Sequence, residues 1–202
     1  MISQGIKDIL VVDIETGNFN PEVDNFRPDN CTICEIGIVN LNLDTGLIDI
    51  VFNQTCREDK LCSPLSWIFK NSSLTYDEVT KSDNLRNFHN EIQKIFNTKP
   101  VTSWKQEFDF KLLEHPSRNF EIPQKFWDPM KVLTDYLKIP FPSGGFGYKW
   151  PKLHEALEYF NLGERRKQEH RAMDDAKNVA EIIFQAVKKW PELINKWTDY
   201  VR

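Results

Sequence analysis

Carboxylates at three places along the chain have the types and spacing to do chemistry together. Asp13-Ile14-Glu15 ends the apolar run Ile9 to Val12. Side chains alternate along a strand, so Asp13 and Glu15 leave from one face just where the run stops. Two acids there repel each other unless a cation lies between them, and hard oxygen ligands select Mg²⁺ or Mn²⁺. Alone, such a pair is also what a solvated strand end looks like. Asp109, in Phe108-Asp109-Phe110-Lys111-Leu112-Leu113, shares a helical face with Leu112 and Leu113 and so lies beside the apolar stripe. It would equally serve as a first-turn acid at a helix N-terminus. The third place is His170-Arg171-Ala172-Met173-Asp174-Asp175. Helical phase separates the two adjacent aspartates. Asp175 aligns with Ala172, Val179, Ile182 and Ile183, and Asp174 with Lys177, Asn178, Glu181 and Gln185. Asp175 therefore faces the core, where an acid is costly unless it is paired or bound to a metal. In a continuous helix His170 and Asp175 would point roughly 140° apart, so they converge only if His170 lies in the loop before the helix.

The elements that must position these groups follow from periodicity. Ile9 to Val12 reads as a short buried strand, and Cys31 to Leu43 as a second one that ends at the turn signal Asp44-Thr45-Gly46. Leu47 to Asn53 is its hairpin partner. Leu85, Phe88, Ile92 and Ile95 recur at helical spacing over Asn84 to Phe96, and Val101 to Trp104 is a fourth strand. The helix that follows runs through Leu113 and must end near Pro116. Pro129 to Leu137, Pro151 to Phe160 and Arg171 to Lys189 are further helices, with room for a strand near Phe120 to Phe126. Strands first and then strands alternating with helices favour a mixed sheet covered by helices, in the α/β or α+β class.

The 202 residues are 40% hydrophobic and 28% charged, an ordinary globular composition. No repeat or linker divides the chain, so residues 1–202 read as a single domain. The apolar run Ile9 to Val12 is far too short to cross a bilayer, which predicts a soluble, intracellular and cytoplasmic protein with no membrane partner. Lys and Arg total 26 against 30 Asp and Glu, so a polyanionic substrate would need local basic residues or metal ions. Arg165-Arg166-Lys167, with Arg171 nearby, is the local basic cluster that could meet phosphates. Cys31-x-x-Cys34 is half of a zinc pattern, but Cys56 and Cys62 do not complete it, and buried thiols are expected instead.

Together, Asp13-Ile14-Glu15-Thr16-Gly17, Phe108-Asp109-x-Lys111-x-Leu113 and His170-x-Ala172-x-x-Asp175 resemble, in order and spacing, the motifs of the DEDDh 3′→5′ exonucleases. This is the family of ribonuclease T, oligoribonuclease and the polymerase proofreading subunit. Ile33 to Val39 is similar to its second strand, and Lys152-Leu153 with Leu157 and Leu162 to its penultimate helix, so the resemblance spans about residues 7–190. It implies a ribonuclease H-like fold, a mixed five-stranded sheet flanked by helices with the second strand antiparallel. It also implies a site of two Mg²⁺ or Mn²⁺ ions on Asp13, Glu15, Asp109 and Asp175, with His170 as general base toward the attacking water. Thr16, Gly17 and Phe19 would hold the terminal nucleotide, although Phe19 also suits a plain core position.

The implied reaction is removal of nucleoside 5′-monophosphates from a single-stranded RNA or DNA 3′ end. It is compatible with the chain working alone, as a homodimer, or with a polymerase or accessory partner. Trp104-Lys105 stands where many members carry His-Asn, and Gly17 to Asn30 is longer and more polar than in the proofreading subunits. There are two alternatives: a catalytically silent binding module, which would typically have lost one of the acids or the histidine, whereas all five are present, and a phosphodiesterase restricted to dinucleotides or modified ends, which would share every motif. A zinc-dependent interaction module is a third reading, resting on the cysteines.

Overall fold

A computed structural model describes residues 6–22, 24–142, 144–163 and 170–194. Among them, β1 (Asp8–Gly17), β2 (Thr32–Asn42), β3 (Ile48–Thr55) and β4 (Val101–Thr102) form one sheet in the order β3-β2-β1-β4. β2 runs antiparallel to both β1 and β3, and β4 runs parallel to β1. Antiparallel neighbours need only the Asp44-Thr45-Gly46 turn, whereas the parallel step from β3 to β4 needs a long crossover. That crossover carries α1 (Trp67–Asn71), α2 (Tyr76–Lys81) and α3 (Leu85–Phe96). The rest of the chain adds α4 (Gln106–Leu113), α5 (Pro129–Leu137), α6 (Leu153–Tyr159) and α7 (Ala172–Lys189).

The sheet has four strands where five were expected. Over Phe120 to Phe126 the chain makes only an isolated parallel bridge, Lys125 to Val101. Val101 N–H donates to the Gln124 carbonyl at 2.9 Å, and Phe126 N–H to the Val101 carbonyl at 2.8 Å. Pro123 has no N–H to extend this ladder, and Pro129 already opens α5. β1 departs in the other direction. It continues through Asp13 and Glu15 to Gly17 instead of ending at Val12, so both acids lie inside a paired strand. The short helices α1 and α2 carry too few apolar repeats for periodicity to reveal them.

Period-two alternation divides the core into two layers. Leu10, Val12 and Ile14 face α3 and α4 with Leu85, Ile92, Phe110 and Leu113. Ile9 and Val11 face α5, α6 and α7 with Leu133, Leu157, Val179 and Ile183. Asp13 and Glu15 continue this second row, which directs them toward α7. α7 follows the expected phase: Asp175, Val179, Ile182 and Ile183 are buried and Asp174 is exposed. Asn178, placed on the solvent side by phase, is buried as well, because the helix is covered on more than one stripe.

Gly37 lets α7 come this close. It pairs with Asp13 across the strands, and a Cβ there would stand 2.5 Å from the Met173 nitrogen and 2.6 Å from the Ala172 carbonyl carbon. The four thiols are buried, with Cys34 Sγ 3.7 Å from Cys62 Sγ and Cys56 Sγ directed to the Ile33 carbonyl at 3.8 Å. Among the described residues, no helix is long and apolar enough to cross a membrane.

Candidate active site

Three elements and the loop before the last of them bring the sequence-selected acids and histidine together. β1 supplies Asp13 and Glu15, α4 supplies Asp109, α7 supplies Asp175, and the residue two before α7 is His170. One ligand atom from each of Glu15, His170 and Asp175 lies within 4.8 Å of the other two. Asp13 and Asp109 complete the cluster electrostatically. Burial pushes the Asp13 carboxyl well above the usual range, and the charges of Asp175, Asp109, Glu15 and Glu35 push it the same way. Glu15 is raised for the same reasons, burial first, then Asp175, Glu35 and Asp109, with Arg171 opposing. Burial lifts Asp109 to about 7, against the Ser103 side chain, which favours the ionised form. Burial instead lowers His170, which keeps the imidazole neutral at pH 7. Clustered carboxylates that resist ionisation fit a site for hard divalent cations, since a cation supplies the charge they lack.

His170 has the positive φ of 49° that a loop residue adopts to turn the chain into a helix. Such a conformation is sparsely populated for a residue with a Cβ and persists only where its surroundings hold it. Here they do so through Glu35, which sequence reasoning passed over. Glu35 lies opposite Glu15 on β2, is 2% exposed, and accepts from Arg171 Nη2 at 2.6 Å and Nε at 2.9 Å. Its other oxygen accepts the Ala172 N–H at 2.9 Å. α7 has no side-chain cap of its own, so Glu35 caps it from the neighbouring strand and clamps Arg171 at the same time. The signal was present: an acid inside the apolar run Ile33-Cys34-Glu35-Ile36 carries the same burial cost as Asp175. Arg171, expected at a substrate phosphate, is therefore turned to Glu35, with Nη1 3.8 Å from Glu78. Arg165-Arg166-Lys167 lies outside the described residues.

Beside the acids a cleft is lined by Glu15, Thr16, Phe19, Trp67, Lys105, Phe108 and His170. Trp67 meets the His170 ring edge-on at 5.2 Å, and Phe19 packs against Phe26 and Phe108 at 6.0 and 5.3 Å. Phe19 is thus half-buried core on one side and cleft wall on the other. Thr16 is buried just after the register shift that follows Glu15. Gly17 sits behind the cleft, where a Cβ would stand 2.3 Å from the Cys62 Cβ. Lys105, noted only as a departure from the family motif, lies at the cleft with Nζ 5.8 Å from the Phe108 ring centre. Trp67 arrives from the unanticipated α1, and no local pattern marks it.

The fold has counterparts among known proteins. The nuclease domain of 3′hExo, a DEDDh family member solved bound to rAMP, superposes with a TM-score of 0.70 at 20% identity, covering 93% of this chain and 94% of that one. A 3′-exonuclease solved for recognition of a histone mRNA stem-loop gives a TM-score of 0.72 at 17% identity, over 93% and 84% of the two chains. E. coli Exonuclease I in complex with a dA16 oligonucleotide gives 0.69 at 16% identity, over 94% of this chain but 42% of that one. No curated protein matches the sequence. The family model of the ribonuclease T exonucleases matches residues 10–183. The match contains every one of the five site residues, and the chain belongs to this exonuclease family, the one its motifs resemble.

Proposed function

We propose that the chain is a metal-dependent 3′→5′ exonuclease that hydrolyses the terminal phosphodiester of RNA or DNA and releases nucleoside 5′-monophosphates. The observation that carries this reading is the convergence of Asp13, Glu15, Asp109 and Asp175 with a neutral His170 beside an aromatic-walled cleft. The four carboxylates would hold two Mg²⁺ or Mn²⁺ ions. Such ions, when bound, lower the pKa of a water and offset charge on the leaving 3′ oxygen. His170 accepts the proton of the attacking water on an imidazole nitrogen, a role that needs the neutral ring that burial favours. Thr16 and Phe19 form the wall against the terminal nucleoside, with Trp67 and Phe108 extending it and Gly17 backing it from behind, and Lys105 offers a positive charge to the phosphates. Glu35 and Arg171 act through α7, holding His170 and Asp175 in register. That related folds were solved with rAMP and with dA16 is consistent with a 3′-terminal nucleotide in this cleft.

Incubation of 5′-labelled RNA and DNA oligonucleotides with Mg²⁺, Mn²⁺ or chelator tests the proposal. The expected result is a ladder shortening from the 3′ end with metal and intact substrate in chelator. Full activity in chelator would sink the reading, and cleavage confined to dinucleotides would move it to the restricted phosphodiesterase.

A further inference from the structure

The segment between α5 and α6 takes no part in the site just described, and among the described residues it carries four of the five large exposed aromatic side chains. From Lys138 to Lys152 the chain has three lysines, no acid and four aromatic residues, in a protein whose net charge is −4. Phe141, Phe146, Tyr148 and Trp150 are all exposed, Phe146 completely so. Exposed aromatics at this density are not explained by packing, because large apolar surface left in water is a cost unless something covers it. The segment is shaped to present them. Pro140 bridges to Tyr148, and Gly144 and Gly147 adopt positive φ of 70° and 87° on either side of Phe146, with open space around both.

The strip is continuous with the site. Gln106 of α4, the helix that carries Asp109, donates to the Phe126 carbonyl at 2.8 Å, two residues before Asp128, the N-cap of α5, which accepts the Lys131 N–H at 3.1 Å. Lys131 Nζ stands 5.8 Å from the Trp150 ring centre. Glu107, an acid on that path, is neutralised by Lys111 at 2.8 Å and approached by Lys131 at 4.0 Å. Lys138 and Lys152 are exposed, while Lys149 is tied to Glu155 at 2.6 Å and holds the base of the segment. Aromatic faces interleaved with lysines, starting beside an acidic hydrolytic site, match one chemistry: unpaired bases stacking on rings while phosphates meet ammonium groups.

We infer that Phe146, Tyr148 and Trp150, with Lys131 and Lys152, form a binding track for single-stranded nucleic acid, holding the nucleotides upstream of the 3′ end that the acidic site receives. This rests on the proposed function and adds to it a dependence on strand length, set by the nucleotides that reach the track. Because stacking is indifferent to base identity, the track confers length dependence without sequence preference.

The test compares two substrates that differ only in whether they reach the track: a 15-nucleotide single strand, and the p-nitrophenyl ester of thymidine 5′-monophosphate, which occupies the cleft alone. Phe146→Ser with Trp150→Ala should raise KM for the 15-mer by about tenfold or more. The ester should be hydrolysed within about twofold of the wild-type rate. An unchanged KM for the 15-mer overturns the track, and points to a protein as the occupant of the aromatic surface. Should the double variant lose ester hydrolysis too, Phe146→Ser alone, at a position without packing contacts, decides by the same comparison. If the wild-type chain hydrolyses neither substrate, the proposed function is what fails. Fluorescence anisotropy of the labelled 15-mer in chelator then reads the track directly: about tenfold weaker binding by the double variant supports it, and equal or absent binding overturns it.

Discussion

At the scale of single residues, His170 is the group whose role the geometry sharpens most. It stands near enough to Glu15 and Asp175 for all three to offer atoms to one ion, yet it is also the neutral base that an attacking water requires. The two roles separate on one variant. A general base contributes roughly 10² to 10⁴-fold, so His170→Ala should lower turnover by about that much and leave the Mn²⁺-induced rise in thermal midpoint nearly intact. A lost rise would make His170 a ligand instead, and wild-type turnover would give it no role. The five groups of this site were legible jointly: Asp175 violates a local rule by interrupting an apolar face, whereas Asp13, Glu15 and Asp109 also suit a strand end and a first helical turn, and their order and spacing with His170 mark them. Glu35 violates the same rule in β2 and was equally readable. Trp67 and Lys105 violate none, since an aromatic residue and a lysine suit almost any surface, and only the folded chain shows that they line the cleft.

At the scale of elements, catalysis depends on how α7 meets the sheet. Its N-terminus is seated on Gly37, capped by Glu35, and followed within one turn by Asp175. Gly37→Ala would put a methyl group 2.5 Å from the Met173 nitrogen and 2.7 Å from the Ala172 oxygen, both backbone atoms that yield only if the helix moves. Such overpacking typically costs 1–3 kcal/mol. A shift of about 1 Å at reacting groups can cost 10²-fold in rate, so turnover should fall by one to two orders of magnitude along with the thermal midpoint. A lowered midpoint with unchanged turnover would show that α7 tilts about its first turn without carrying His170 and Asp175. Much of the element layer was legible, because α3, α5 and α7 have strong apolar stripes and α4 lies between a strand and the stop signal at Pro116. The missing fifth strand and the added α1 and α2 were not, because pairing of a two- or three-residue segment is decided by its neighbours and not by its own pattern.

At the scale of the whole molecule, the fold keeps an acidic cluster buried at the centre of its sheet, and its stability should report on the charge there. Burial raises Asp13, Glu15 and Asp109, the last to about 7 from an ordinary value near 4. Between those values the native state holds a proton that the unfolded chain has released, so stability declines as pH rises through that window. His170 acts in the opposite sense, its lowered pKa favouring the unfolded state only as pH falls below about 6.5, and it is one group against three. Without metal, the thermal midpoint should therefore rise as pH is lowered from 8 to 6. Saturating Mn²⁺ should reverse the slope, because the ion binds ionised carboxylates and stabilises most where they are fully charged. At a hundredfold excess over Kd the ion contributes about 2.7 kcal/mol, or roughly 5–10 °C for a chain of this size. Thermal scans at pH 6, 7 and 8, with chelator and with Mn²⁺, read both slopes. A metal-free midpoint that climbs with pH, together with no shift at millimolar Mn²⁺, would mean that the four carboxylates are not held as one cation site, and the hydrolytic reading would lose its physical basis.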